Sequence, residues 1–320
     1  MNTTAKIGLY GAALALTFTS AYGIGAVADP LTGKTPSAPH AAHQESNAMN
    51  HGNRHTGATP PLPGGLQISQ DGYTLNLLTP RLAAGQEAPL RFAIKDEAGK
   101  AVTDYARAHD KELHLIVASR DLNTFRHLHP SLGTDGIWST PVDLPAAGDY
   151  RVFADFSPAK QGAKPLTLGA DLAVAGPYQP RELPPQKATA EVDGYAVTLD
   201  GTLAAGKMTG LTLSVAKDGK PVTDLEPYLG AYGHLVALRA GDLAYLHVHP
   251  EGEPGDGTTQ PGPSISFMAT APTNGAYRLF LDFKHQGNVH TAAFTLPTTN
   301  RTTPDATTTQ HEEHTSTEHH

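Results

Sequence analysis

The sequence has no cysteine, one tryptophan and four methionines among its 320 residues. The absence of cysteine excludes disulfides, thiolate metal sites, iron–sulfur clusters and cysteine nucleophiles. The few methionines argue against a methionine-rich Cu(I) carrier. Lysine and arginine number 23 against 31 aspartates and glutamates, a formal net charge of −8, so nucleic acid is not an expected partner. The residue type in excess is histidine, with 17 copies.

The two ends of the chain differ in composition from its middle. Residues 1–28 are predicted to be an export segment, with a hydrophobic helix over residues 7–27 and a cleavage pattern that ends at Ala28. We expect either a membrane anchor on the outer face of the cytoplasmic membrane or secretion after cleavage, with no other membrane contact. Residues 29–63 are predicted to be a disordered His- and Pro-rich stalk, and residues 298–320 a disordered Thr- and His-rich tail.

The middle of the sequence is an internal duplication. Blocks recur in the same order at offsets from 120 residues (127 to 247) to 127 residues (150 to 277). We place repeat 1 at residues 64–176 and repeat 2 at residues 188–297, joined by a Pro-rich linker over residues 177–187. The matching blocks are 71–73 with 193–195, 82–85 with 203–206, 102–104 with 222–224, 127–130 with 247–250, and 150–156 with 277–283.

Each repeat has the pattern of a β-sandwich. Apolar and polar residues alternate over residues 90–94 and 211–215, turn signals recur every ~8–12 residues, and no helical period of useful length is present. The runs around Tyr150 and Tyr277 resemble the tyrosine corner of immunoglobulin-like folds, in which the hydroxyl bonds to nearby backbone. We therefore predict an all-β protein of two tandem Ig-like or cupredoxin-like sandwiches. The blue-copper version is excluded because its thiolate ligand is missing.

The sharpest prediction concerns one hairpin in each repeat. A turn centred on residues 120–121 would place a histidine of one strand directly opposite a histidine of the next, and a turn centred on residues 240–241 would do the same in repeat 2. A third histidine follows two residues later on the same face. The predicted three-histidine patches are His114, His127 and His129 in repeat 1, and His234, His247 and His249 in repeat 2.

Three imidazoles on a rigid β-surface are ligands that Cu²⁺ and Zn²⁺ prefer, so we predict one divalent metal site in each repeat. Asp155 and Asp282 could act as ligands or as acceptors that hold an imidazole tautomer, and His290 could be a fourth ligand in repeat 2. Two alternatives stay open: histidines that only satisfy backbone carbonyls, and a pH-sensitive contact. His109 and His285 have no counterpart in the other repeat and are expected at the surface.

The segments 112–122, 127–130 and 228–236 resemble a family of exported bacterial proteins with duplicated Ig-like or YtkA-like β-domains, which is loosely similar to periplasmic copper-handling proteins. The resemblance covers residues 64–297 and implies the sandwich fold and the histidine hairpin. The chain departs from CopC-type copper carriers, whose mature N-terminal histidine is a ligand, because cleavage after Ala28 would expose Asp29.

The predicted function is an extracytoplasmic metal-binding protein for copper or zinc buffering, delivery or resistance. Its partners would be the metal ion and a membrane metal transporter or envelope component. The alternative is a metal-free cell-envelope adhesion or scaffold module of two Ig-like domains on a stalk. An enzyme is not expected: a three-histidine zinc could activate water, but no GxSxG, HExxH or paired-carboxylate motif is present, and Glu112 is replaced by Tyr232 in repeat 2.

Overall fold

The computed structural model describes residues 62–246 and 248–299. These residues form strands, turns and bridges without a helix, so the all-β prediction is confirmed for them. The predicted N-terminal helix, the stalk up to residue 61, His247 and the tail from residue 300 lie outside the described residues. Within the part described, no helix is long and apolar enough to cross a membrane.

Repeat 1 is a sandwich of two sheets. One sheet has the order β1-β2-β4-β9-β8; the other has the order β3-β11-β10-β6-β7, with β5 paired to β10. All strand pairs are antiparallel except β3 with β11. The strands are β1 (Ser69–Gln70), β2 (Tyr73–Leu77), β3 (Arg81–Ala83), β4 (Ala88–Lys95), β5 (Tyr105–Ala106), β6 (Leu113–Ser119), β7 (Phe125–Leu128), β8 (Ser131–Leu132), β9 (Trp138–Val142), β10 (Gly148–Pro158) and β11 (Leu166–Ala175).

Repeat 2 has the same plan. Its sheets have the orders β12-β13-β14-β19-β18, with β15 paired to β14, and β17-β16-β20-β21. The strands are β12 (Thr189–Val192), β13 (Tyr195–Gly201), β14 (Met208–Lys217), β15 (Lys220–Pro221), β16 (Gly233–Arg239), β17 (Tyr245–Leu246), β18 (Val248–Pro250), β19 (Ser264–Thr270), β20 (Ala276–His285) and β21 (Asn288–Pro297).

Each sandwich has its own apolar core, and each core contains a tyrosine corner. The Tyr150 hydroxyl donates to the Ala146 carbonyl at 2.8 Å, and the Tyr277 hydroxyl donates to the Thr273 carbonyl at 2.8 Å. Both tyrosines are buried at the start of a long central strand. The predicted corners are confirmed, and they identify the two sandwiches as Ig-like.

A third apolar cluster lies between the repeats. Strand β6 is buried on both faces: Leu115 and Val117 belong to the core of repeat 1, whereas Ile116 and Ala118 belong to the cluster shared with repeat 2. This double burial explains the continuous apolar run in the sequence, because a strand covered on both sides needs no polar face. The other buried members of the shared cluster are Leu122, Phe125, Phe153, Val236, Leu238, Leu243 and Phe280.

The contact between the repeats is close and specific. The rings of Phe125 and Phe280 stack with centroids 4.0 Å apart and planes 7° apart. The Tyr245 backbone N–H donates to the Gly64 carbonyl at 2.9 Å, so the chain that enters repeat 1 is also bonded to repeat 2. The sheets that carry β6 and β16 therefore face each other, and both histidine hairpins lie at this junction.

The predicted register of these hairpins is wrong by two residues. In repeat 1 His127 pairs with Ile116 rather than with His114. The turn has four residues instead of two, closed by the Ser119 N–H donating to the Thr124 carbonyl at 2.9 Å. Leu122, at a positive φ of 57°, buries its side chain in the shared cluster from this longer turn. Because side chains alternate with a period of two, His114 and His127 still lie on one face, as diagonal neighbours.

The hairpin of repeat 2 differs from its predicted register by the same two residues. Ala237 pairs with Leu246, and the Arg239 N–H closes a four-residue turn by donating to the Ala244 carbonyl at 2.9 Å. Leu243 takes the buried turn position in this repeat, with a φ of 62°. The longer turns are thus a property of both copies.

Candidate metal centre

Three histidines of repeat 1 converge at the junction. His114 Nδ1 lies 3.1 Å from His127 Nε2. One ring nitrogen each of His114, His127 and His129 lies within 4.8 Å of the others. His114 is held by β6 and His127 by β7, whereas His129 follows the end of β7, where the chain crosses to the other sheet. The tertiary structure therefore assembles the patch predicted for repeat 1.

The outer nitrogens of two of these rings have fixed partners. His114 Nε2 donates to the Ala108 carbonyl at 3.2 Å, and His127 Nδ1 donates to Asp282 Oδ2 at 2.8 Å. A carbonyl and a carboxylate can only accept, so each of these ring nitrogens carries a hydrogen. In the neutral rings His114 Nδ1 and His127 Nε2 then carry lone pairs, and the two lone pairs face each other across 3.1 Å.

Two facing lone pairs repel unless a cation lies between them. A tetrahedral metal ion with nitrogen ligands at ~2.0–2.1 Å places those nitrogens roughly 3.3 Å apart, close to the spacing in the structure. A proton shared between the rings would also satisfy this geometry. The third ring adds a buried Nε2 on His129 that has no hydrogen-bond partner in the part of the chain that the structure describes.

Burial keeps the rings of His114 and His129 neutral. Together with smaller contributions from the neighbouring imidazoles, it lowers the pKa of His114 to about 3 and that of His129 to about 4. At neutral pH these two rings are therefore uncharged, which is the state in which imidazole binds a metal ion. The nearby hydroxyl of Tyr228 also stays protonated, since burial raises its pKa to about 12.

Repeat 2 contributes to the same centre. Asp282, 2% exposed, accepts a hydrogen bond from Thr291 Oγ1 at 2.5 Å as well as the bond from His127. The ring of His234 lies 6.1 Å from that of His114, its Nε2 donates to the Leu229 carbonyl at 2.9 Å, and burial lowers its pKa to about 4. The prediction of two separate patches thus becomes, for the described residues, one centre to which both repeats contribute.

A small cavity of about 60 Å³ lies against these rings. Asp155 and His109 line it together with three histidines of the centre. Asp155 also accepts a hydrogen bond from Thr167 Oγ1 at 3.0 Å. The exposed ring of His109 lies 5.3 Å from that of His234, so this surface residue borders the centre, although no sequence pattern indicated it. The cavity has room for an ion with a water ligand.

Two predicted ligands of repeat 2 lie elsewhere. His249 is exposed on β18 and pairs with Met268 of the other sheet. His290 pairs with Phe283, whereas Asp282 pairs with Thr291, so His290 and Asp282 point to opposite faces of the same sheet. His290 Nδ1 donates to Asp193 Oδ2 at 2.8 Å. The side chain of His247 lies outside the described residues.

The expectation that His285 lies at the surface is wrong. It is 5% exposed and bonded on both sides: the Tyr195 hydroxyl donates to its Nδ1 at 2.7 Å, and its Nε2 donates to Asp224 Oδ1 at 3.1 Å. The equivalent position in repeat 1 is Pro158, so comparison of the repeats could not reveal this role.

Comparison with models of protein families places both repeats in one family. Residues 68–169 and 190–300 each match the family described as Domain of unknown function (DUF8832). The two matches together cover more than half of the sequence, so the chain belongs to this family and contains its domain twice, which confirms the duplication. No curated protein matches the chain.

Solved structures similar to the chain share little sequence with it. The Escherichia coli adhesin FdeC has 17% identity and a TM-score of 0.23 over 72% of this chain, and the chain spans 65% of that protein. Invasin, a bacterial integrin-binding protein, has 11% identity and a TM-score of 0.21, and the match covers 71% of this chain and 39% of the invasin chain. The D00–D0 domain of intimin has 11% identity and a TM-score of 0.20, and the match covers 69% of this chain and 98% of the intimin chain. These values transfer no function to this chain.

Proposed function

We propose that the protein binds one Zn²⁺ or Cu²⁺ ion at the junction of its two repeats. The ligands are His114 Nδ1, His127 Nε2 and His129 Nε2. The observation that supports this most directly is the pair of facing imidazole nitrogens 3.1 Å apart, each in a ring whose other nitrogen is bonded outward. Outer partners of this kind, a backbone carbonyl and a carboxylate, are those that orient metal-binding histidines.

The donor set favours particular metals. Three neutral imidazoles suit Zn²⁺ and Cu²⁺, whereas Mg²⁺ and Ca²⁺ prefer carboxylate and carbonyl oxygens. Three protein ligands leave a coordination position for water or for an exchanging ligand in the adjoining cavity. Such a site suits buffering or delivery of the ion. If the predicted export segment acts as expected, this exchange takes place outside the cytoplasmic membrane, with a transporter or envelope component as the recipient.

A second candidate function is a metal-free scaffold. The stack of Phe125 on Phe280 and the shared apolar cluster hold the two Ig-like sandwiches together without any ion. In that case a proton shared between His127 Nε2 and His114 Nδ1 satisfies the two facing nitrogens. The cluster would then be a charged hydrogen-bond network that joins the two repeats of an adhesion or structural module.

Calorimetric titration of the full chain with Zn²⁺ and with Cu²⁺, together with metal analysis, separates the two functions. We expect the double variant His114→Ala, His127→Ala to lose one ion bound more tightly than roughly 10 μM, about −6.8 kcal/mol. The control His51→Ala, in the predicted stalk, should keep that ion, because it changes only the histidines outside the repeats. Equal tight binding by the wild type and the double variant, or none by either, would leave the scaffold as the better account.

A further inference from the structure

A groove of about 470 Å³ lies along the junction of the repeats, beside the turn of the β6–β7 hairpin. It is distinct from the histidine centre and shares none of its histidines. Among its lining residues are Arg126, Arg181, Arg278, Phe125, Phe280 and Thr291, and none of the residues that line it is acidic. In a chain of net charge −8 such a local excess of positive charge is not a consequence of overall composition.

The repeats provide an internal comparison for one of these arginines. Arg151 is the counterpart of Arg278 in the duplicated block 150–156. Its Nη1 donates to Asp171 Oδ1 at 2.6 Å and its Nε donates to the Gly65 carbonyl at 2.7 Å. Its Nη2 donates to the Leu66 carbonyl at 2.9 Å. The guanidinium of repeat 1 is therefore paired with a carboxylate, and each of its three nitrogens donates a hydrogen bond.

Arg278 lacks these partners. Its strand neighbour is Thr295 where Arg151 has Asp171, and its Nη1 donates to the Thr295 hydroxyl at 3.1 Å. Its Nε is buried with no hydrogen-bond partner, and within residues 62–246 and 248–299 no carboxylate lies at ion-pair distance from it. Burial lowers the pKa of Arg278, a sign of a cation that has lost water without gaining an anion.

Two neighbouring groups complete the site. The Arg278 guanidinium lies 5.7 Å from the centroid of the Phe280 ring. This is a cation–π contact, and it orients the planar guanidinium. Arg126 donates to the Asp143 and Phe125 carbonyls at 3.2 and 3.0 Å, bonds that hold it in place. Among the residues that the structure describes, Arg126 forms no ion pair. Arg181 lies 3.7 Å from Asp121 and adds less net charge.

We propose that this arginine groove binds an oxyanion, a phosphate or carboxylate group, with Arg278 as its main contact and Arg126 as a second cation. A planar guanidinium can hold such a group through two parallel hydrogen bonds. The oxyanion would pair with the Arg278 guanidinium as the Asp171 carboxylate pairs with that of Arg151. Because the groove is lined by residues of both repeats, the bound anion also stabilises their junction.

The test measures the melting temperature of the full chain, stripped of metal with a chelating resin, in phosphate, malonate or chloride at equal ionic strength. We expect phosphate or malonate to raise the wild-type melting temperature by roughly 2 °C or more above chloride, because a ligand of the folded state stabilises it. The rise that remains in Arg278→Gln measures the general stabilising effect of these anions. After its subtraction, a larger remainder with phosphate indicates a phosphate group as the ligand chemistry, and a larger remainder with malonate indicates a carboxylate.

Two variants assign the effect to the groove. Arg278→Gln removes the main cation and should show a smaller rise than the wild type, whereas the exposed control Arg91→Gln should show the full wild-type rise. Thr295→Asp places a carboxylate beside Arg278 where repeat 1 has Asp171 beside Arg151. It should therefore also reduce the rise in melting temperature. This second variant tests the proposal even if Arg278→Gln does not fold. The proposal is overturned if phosphate and malonate act no more strongly than chloride, or if the variants respond as the wild type does.

Discussion

His127 of repeat 1 donates a hydrogen bond to Asp282 of repeat 2 at 2.8 Å, and the two side chains are only 5% and 3% exposed. The duplicated blocks are thus joined by a polar contact between non-equivalent positions. The carboxylate fixes the tautomer of the imidazole, which directs the lone pair of Nε2 toward His114. This single contact couples the geometry of the candidate metal centre to the packing of the repeats.

Asp282→Asn keeps the shape of the carboxylate but removes its charge. We expect a loss of about 1.5–3 kcal/mol in the free energy of unfolding, the value of a hydrogen bond to a charged group. Metal affinity should fall ~10–100-fold, as it does when the outer partner of a ligating histidine is lost. Urea denaturation and Zn²⁺ titration measure the two effects. Asp149→Asn, at an exposed position, serves as control, and equal losses in both variants would contradict the assigned role.

Phe280→Ala removes one ring of the stack with Phe125. We expect a loss of about 3–5 kcal/mol, because a large buried side chain is deleted between the repeats. Trp138, the only tryptophan, lies in the core of repeat 1, so its fluorescence reports on that repeat while far-UV circular dichroism reports on both. In the wild type we expect the two unfolding curves to coincide, and in the variant to separate.

The control for this experiment is Val289→Ala, whose side chain is 44% exposed on β21. It should change stability by less than about 0.5 kcal/mol and leave the curves coincident. Coincident curves in Phe280→Ala would mean that the stack does not couple the repeats.

Acidification should destabilise the metal-free protein. The pKa values of His114, His129 and His234 are lowered by burial to about 3, 4 and 4, whereas in the unfolded chain histidine titrates near ~6.5. The unfolded chain therefore binds more protons below pH ~6.5, so stability is fully present above that pH and declines toward pH 4. Each kcal/mol lost lowers the melting temperature by roughly 2–4 °C.

Melting temperatures between pH 7.5 and 5 measure this decline. His114→Gln should make the slope shallower, because it removes the group whose pKa is lowered most. The exposed control Arg91→Gln should leave the slope nearly unchanged, because arginine stays charged throughout this pH range. A melting temperature that is constant or rises on acidification would contradict the burial argument.

The two tyrosine corners should contribute equally to the free energy of unfolding. Tyr150→Phe and Tyr277→Phe each remove a 2.8 Å hydrogen bond to a carbonyl four residues earlier. Each should cost about 0.5–1.5 kcal/mol in urea denaturation. Tyr178→Phe, at a side chain 55% exposed, should be neutral. A large difference between the first two variants would show that the corners are not equivalent.

Much of the fold could be predicted from sequence. Alternation over residues 90–94 and 211–215 indicated strands, and the tyrosine runs indicated Ig-like corners, because both depend on local spacing that a strand or a turn converts directly into structure. The turn that carries Leu122 could not be predicted in this way. Its length is decided by a leucine that packs against the other repeat, which is not a local property.

The sequence by itself determined the duplication, the sandwich class and the face on which His114 and His127 lie, since a period of two assigns faces without assigning register. Only the tertiary structure decided that the histidines of repeat 1 meet Asp282 and His234 of repeat 2, and that Arg278 is left without the carboxylate that its counterpart has. Those contacts depend on how two apolar sheet faces pack against each other. The packing geometry of such faces is set by side chains far apart in sequence, so no periodicity within either repeat encodes it.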